Sequence, residues 1–148
     1  MLLSDIFDIR HIKPNLESRT KDGALEELIE AIAVLHPELD RQEMLDAVSA
    51  RENLMNTAVM PGVAVPHGYC RISGGVTGAV GISRGGIEYD ADDHSPVHCI
   101  FLVILGGESR ENHLYMLSRL LKLFNSQGIP EIEAASSARE IYDVLRRF

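Results

Sequence analysis

Cysteine is scarce: Cys70 and Cys99 are the only two in 148 residues, far apart and in no ligand-spacing motif. That excludes a disulfide framework or a zinc knuckle and leaves two plain reduced thiols. Long apolar runs are also missing, none approaching the roughly 18 to 20 residues of a membrane span, so no membrane insertion is expected. Basic residues are outnumbered, 14 against 22 acidic, for a net charge of -8. No Lys/Arg cluster is extensive enough to follow a phosphate backbone, which argues against nucleic-acid binding and suits a basic protein partner instead. The opening Met1-Leu2-Leu3-Ser4-Asp5 has acid where a secretory leader carries base, so a cytoplasmic protein is expected. Repeats, low-complexity tracts and linkers are absent, and the chain is expected to fold as a single domain over residues 1–148.

What the chain does have is a mixture of helical and strand patterns. Leu25, Leu28, Ile29, Ile32 and Ala33 recur at helical spacing behind Asp22, a plausible N-cap, and Pro37 closes that stripe. Asp40 with Glu43 resembles a capping box opening a second helix that ends near Arg51 or Asn53, with Met44, Leu45, Ala47 and Val48 toward the core. Short strands are expected over 57–60 and 63–65, and a longer one over 76–83 after Ser73-Gly74-Gly75, closed by a turn at Gly85-Gly86. The run from Val97 through Leu105 is the most apolar, suited to a central strand buried on both faces. A helix over about 109–125 follows, with Leu114, Leu117, Leu121 and Phe124 along one face, and Gly128 and Pro130 punctuate its end. The last helix opens at Ser137. This order predicts an α/β fold, a mixed central sheet in one layered domain flanked by helices.

Several constellations can be weighed for chemistry. Pro66-His67-Gly68 places an imidazole at the end of a short apolar strand, where Pro66 favours a stiff bend and Gly68 permits close approach of a ligand. Such a histidine can act as a nucleophile, and it can equally sit in an ordinary surface turn. Gly81-Ile82-Ser83-Arg84-Gly85 matches the nucleophile elbow of hydrolases but leads into glycines rather than a helix. His94 and His98 are four apart, yet in extended chain that spacing is about 13 Å, too far to share a metal. Gly74, Gly75, Gly78 and Gly81 do not form a dinucleotide fingerprint. His113 lies one turn into the helix after the strongest strand, where open sheets bind ligands, although a lone histidine there is also an ordinary surface residue. Arg51 could simply pair with Glu52 or Asp46 on the solvent face.

Taken together, Arg51-Glu52 with Thr57, then Gly62-Val63-Ala64-Val65-Pro66-His67-Gly68, Ser95-Pro96-Val97, and His113-Leu114 with Leu117-Ser118 resemble the enzyme IIA domain of the bacterial phosphotransferase system. The branch is the fructose and mannitol type, which includes nitrogen-regulatory members. The resemblance implies that His67 accepts a phosphoryl group from the histidine-containing phosphocarrier protein, with His113 and Arg51 beside it as catalytic partners. The receiver would be a IIB domain or a regulatory target. A phosphoryl group in transit needs cations and donors more than covalent machinery, so Thr57 and Gly68 are expected as phosphate contacts, and no metal or organic cofactor is required. The chain departs from the family pattern at Met55-Asn56-Thr57, and at Cys70 and Arg71 after the histidine block. The alternative is a regulatory module that acts through protein contacts.

Overall fold

In the computed structural model, residues 1–71, 75–107 and 110–148 are described. The chain runs α1 (Leu3–Ile6), β1 (Phe7–Lys13), α2 (Lys21–Leu35), α3 (Arg41–Leu54), β2 (Ala58–Met60), β3 (Val63–Ala64), β4 (His67–Cys70), β5 (Gly75–Ile87), β6 (Val97–Gly106), α4 (Arg110–Phe124), α5 (Gly128–Ala134) and α6 (Ala138–Leu145). The expected turn residues Ser73 and Gly74 and the helix start at Ser109 lie outside the described residues.

The apolar run expected at the centre is β6, and it is central. The sheet order is β1-β5-β6-β3-β2, with β4 also paired to β6. β5 lies antiparallel to β6, whereas β3 and β4 run parallel to it, so the sheet is mixed as expected. Alternation along β6 sorts its side chains to two cores. Cys99, Phe101, Val103 and Leu105 join α1, α4, α5 and α6 on one face, while Ile100, Leu102 and Ile104 join α2 and α3 on the other.

β3 and β4 lie end to end along the same edge of β6: Val63 and Ala64 face Cys99 and Ile100, and His67 through Cys70 face Val103 through Gly106. The strand therefore does not end in a bend at His67 as expected; His67 opens β4. Pro66 marks the junction because it has no N–H to donate, yet its carbonyl still accepts from Val103 N–H at 2.9 Å, which keeps the chain extended. Alternation then puts Val63 and Val65 on the α4 face and Ala64 and Cys70 on the α3 face. By the same alternation His67 and Tyr69 look toward α4, and Gly68 toward α3.

Several local expectations change. α2 is capped by Thr20, which accepts from Gly23 N–H at 3.1 Å, and Asp22 instead sits in the first turn, where its charge suits the dipole. Asp40 does cap α3, accepting from Glu43 N–H at 3.0 Å. The box is not closed, because the Glu43 carboxylate instead accepts the Arg71 amide at 3.1 Å. Gly85-Gly86 makes no turn: β5 continues to Ile87, with Gly86 at φ +81 and a register shift between Ile82 and Ile87, the signature of a bulge. Gly128 and Pro130 open α5 rather than merely closing α4, since proline is tolerated in a first turn whose N–H groups lack partners anyway.

α4 contributes Met116, Leu120 and Leu123 to the core, and the stripe read from the sequence is largely exposed: Leu114 is 67% and Leu121 57% accessible. Two apolar stripes overlap on this helix at helical spacing, so periodicity alone could not select the buried one.

Candidate functional site

β4 and α4 bring His67 and His113 together. Their rings meet edge to face with centroids 5.7 Å apart. The His67 ring is anchored by Nδ1, which lies 2.9 Å from the Val65 carbonyl oxygen. A carbonyl can only accept, so Nδ1 carries the proton and Nε2 keeps the lone pair. Burial, aided by the nearby Arg51 charge and by His113, lowers the His67 pKa below its ordinary value, against the Val65 hydrogen bond. The neutral, nucleophilic form is thereby favoured.

His67 and His113 line a cavity of 580 Å³ together with Arg51, Thr57, Val65 and residues of α4. Arg51, in the last turn of α3, bonds the Met55 carbonyl through Nη1 at 2.8 Å. This holds the guanidinium at the cavity wall through the loop in which the sequence departs from the expected pattern. Arg51, His67 and His113 are thus gathered at one place.

Of the other two expected contacts, Thr57 also lines this cavity but with its hydroxyl already engaged, and Gly68 is not among the lining residues. Thr57 is buried, and its hydroxyl donates to the Glu52 carboxylate. Gly68 is also buried, and a Cβ on it would come within 2.8 Å of the Ala47 backbone, so this glycine is required by α3. The ladder that joins Val103 N–H to the Pro66 carbonyl turns the Gly68 amide toward β6 as well. Cys70 points to the α3 side, where burial and the carboxylates of Glu43 and Asp40 push its thiol up to about 11.

Two groups escaped the sequence reading. Glu52 is 7% exposed; it pairs with Lys21 Nζ at 2.9 Å and accepts from the Tyr89 hydroxyl at 3.0 Å. Lys21 also stacks over the Tyr89 ring at 4.4 Å. This buried assembly fixes the α3 end that carries Arg51. The only available signal was the adjacency Arg51-Glu52, which suggested a surface pair. Tyr69, two residues beyond His67, bonds His113 Nδ1 through its hydroxyl at 2.7 Å.

Ser83 of the elbow-like motif lies within β5, and its carbonyl accepts from His98 Nδ1 at 2.9 Å. Among the described residues, no group of three or more His, Cys, Asp or Glu is arranged to hold a metal ion. Among them, too, no helix is long and apolar enough to cross a membrane.

Comparison with known proteins gives a consistent answer. The family model described as "Phosphoenolpyruvate-dependent sugar phosphotransferase system, EIIA 2" matches residues 5–148. The fructose-specific EIIA component of Haloferax volcanii is 32% identical over 148 residues, covering 95% of this chain and 96% of that protein. The fructose-specific EIIABC component of Bacillus subtilis is 27% identical over 99% of this chain, which spans 23% of that longer protein. Among solved structures, nitrogen regulatory protein IIA-Ntr from Neisseria meningitidis superposes with a TM-score of 0.87 at 28% identity, covering 97% of this chain and 98% of that one. The complex of IIA mannitol with phosphorylated IIB mannitol from Escherichia coli shares the fold, with a TM-score of 0.73 at 17% identity over 94% of this chain and 96% of that one. On the match over residues 5–148 and a relative spanned almost end to end, the chain belongs to the EIIA 2 family of the phosphoenolpyruvate-dependent sugar phosphotransferase system.

Proposed function

We propose that the protein is a phosphoryl carrier that accepts its phosphoryl group on Nε2 of His67 from the phosphohistidine of a histidine-containing phosphocarrier protein. The observation that carries this reading is the Nδ1 bond to Val65, which leaves a lone pair on the other nitrogen of a ring lining an open cavity. In the transfer, that lone pair forms the new N–P bond. The donor's N–P bond breaks, and its electron pair returns to the donor imidazole. Each ring keeps its N–H throughout, so no proton need be supplied.

Three equatorial oxygens carry the charge during the exchange, and electrostatic stabilisation dominates such chemistry. Arg51 offers a forked cationic donor and His113 an N–H, both at the cavity wall. Thr57 would act through Glu52 rather than on the phosphate, and Gly68 by letting α3 approach β4. The onward receiver is a IIB domain or a regulatory target. The IIA mannitol complex offers a precedent for the first, and the nitrogen regulatory relatives for the second.

The second reading, a regulator working by protein contacts, is favoured by one observation: Leu114, Leu117 and Leu121 form an exposed apolar strip on the helix that bears His113. On that reading His67 still takes the phosphoryl group, which then changes the charge beside the strip.

The test is incubation with the phosphocarrier system and phosphoenolpyruvate, followed by intact mass and acid lability. Wild type is expected to gain one acid-labile phosphoryl group and His67→Ala none. Equal labelling of the two proteins would remove His67 as the acceptor.

A further inference from the structure

His113 is held from two sides. His67 and Tyr69 are alternate residues of β4 and so project from the same face, roughly 6.6 Å apart along the strand. The His113 ring reaches both. It makes the edge contact with His67, and its Nδ1 lies 2.7 Å from the Tyr69 hydroxyl, with the two rings tilted by 36° and their centroids 6.1 Å apart.

The direction of this bond follows from acid strength. A phenol is a far better donor than a neutral imidazole N–H, and imidazole nitrogen is the better acceptor, so Tyr69 donates and His113 Nδ1 accepts when the ring is neutral. The remaining proton of His113 is then on Nε2. We propose that Tyr69 is a positioning residue of the phosphoryl site, whose hydroxyl anchors His113 by Nδ1 so that Nε2–H is presented to a phosphoryl group on His67. This rests on the carrier reading above and deepens it.

A hydroxyl suits the task for a second reason. The bond can also be made the other way round, with the proton on Nδ1 of the His113 ring. Nδ1 then becomes a donor, and the Tyr69 hydroxyl can rotate to accept from it, since the same oxygen serves either way. The ring keeps its anchor in both states. Phenylalanine fills the same space and can do neither. Tyr69 is 54% exposed and contributes little to the core, which fits a role in holding a neighbour rather than in folding.

Tyr69→Phe is the test, read in three ways on the full chain. In long-range ¹H–¹⁵N spectra of the histidine rings at alkaline pH, the His113 Nδ1 resonance is expected to move on loss of the hydroxyl while both His67 nitrogens stay in place. Phosphoryl transfer from the phosphocarrier is expected to slow by about three- to tenfold, the range of one lost hydrogen bond. In a His113→Gln background the same substitution is expected to add nothing. Unfolding midpoints should match, because the ring is retained. An unmoved Nδ1 resonance, a wild-type transfer rate, or a full additional loss on top of His113→Gln each overturns the proposal. If the resonance moves but wild type itself takes up no phosphoryl group, the carrier reading falls and takes the transfer role of Tyr69 with it, whereas the anchoring of His113 stands.

Discussion

His67 is set up by three local influences acting on one ring. The Val65 carbonyl selects the tautomer, burial disfavours the cation, and Arg51 disfavours it further. Arg51 therefore serves twice, keeping the His67 ring neutral and, on the carrier reading, meeting the incoming charge. Lysine at this position would keep the charge but lose the planar fork and the tie to the Met55 carbonyl. Arg51→Lys is expected to slow transfer about tenfold, equivalent to a charge-assisted hydrogen bond of roughly 1.5 kcal/mol, with an unchanged urea midpoint; a wild-type single-turnover rate would deny Arg51 that role. From the residues alone His67 could equally be a surface-turn histidine and His113 an ordinary one, and their meeting with Arg51 was legible only through the family resemblance. Tyr69 was not legible, because its partner is 44 residues away and strand alternation pairs them only once β4 exists. Glu52 was read as a surface partner of Arg51, since nothing local announces that Lys21, Thr57 and Tyr89 converge on it.

Among the elements, β4 explains most about the site. Its alternate residues serve opposite duties, with His67 and Tyr69 facing α4 and Gly68 and Cys70 facing α3. The α3 backbone stands so close to Gly68 that an added methyl would lie 2.8 Å from the Ala47 carbonyl carbon. Gly68→Ala is therefore expected to push α3 away and lower stability by about 1–3 kcal/mol, seen as a reduced urea midpoint. An unchanged midpoint would mean that α3 yields freely. Because Arg51 rides on α3, transfer should suffer as well. The fold was legible where pattern and burial coincide, as in α2 and β6. It was not where glycine or proline carries two meanings: Gly86 forms a bulge instead of a turn, and Pro130 sits in the first turn of α5. On α4 the sequence offers two leucine-rich stripes, and only the position of the sheet decides that Met116, Leu120 and Leu123 go inward.

For the molecule as a whole, one buried and one half-buried histidine, His11 and His67, set the response to acid. His11 is fully buried, with Nδ1 3.2 Å from the Gly78 carbonyl oxygen, and burial lowers its pKa as it does that of His67. A histidine whose pKa is lower folded than unfolded leaves stability flat while both states are neutral. As pH falls below the unfolded value of about 6.5 the unfolded chain takes up the proton first, and stability is lost until the folded pKa is passed. Carboxylates with lowered values, Asp8 and Glu27 among them, act in a separate window below their ordinary 3.8 and 4.5. The urea midpoint is thus expected to be level between about pH 7 and 8 and to fall as the pH drops below about 6.5. His11→Asn, which can still donate to Gly78, should flatten that slope, and an equally steep slope in the variant would assign the loss to other groups. The anchored ring of His67 has a last consequence for how the protein deals with others. On the carrier reading, with Nδ1 tied to its own strand, loading and unloading would share a single nitrogen and a single mouth, so donor and receiver would compete for the same berth. Such a carrier would attend to one of them at a time, and an excess of either would obstruct the other: it would work as a turnstile, with throughput greatest when the two callers are balanced.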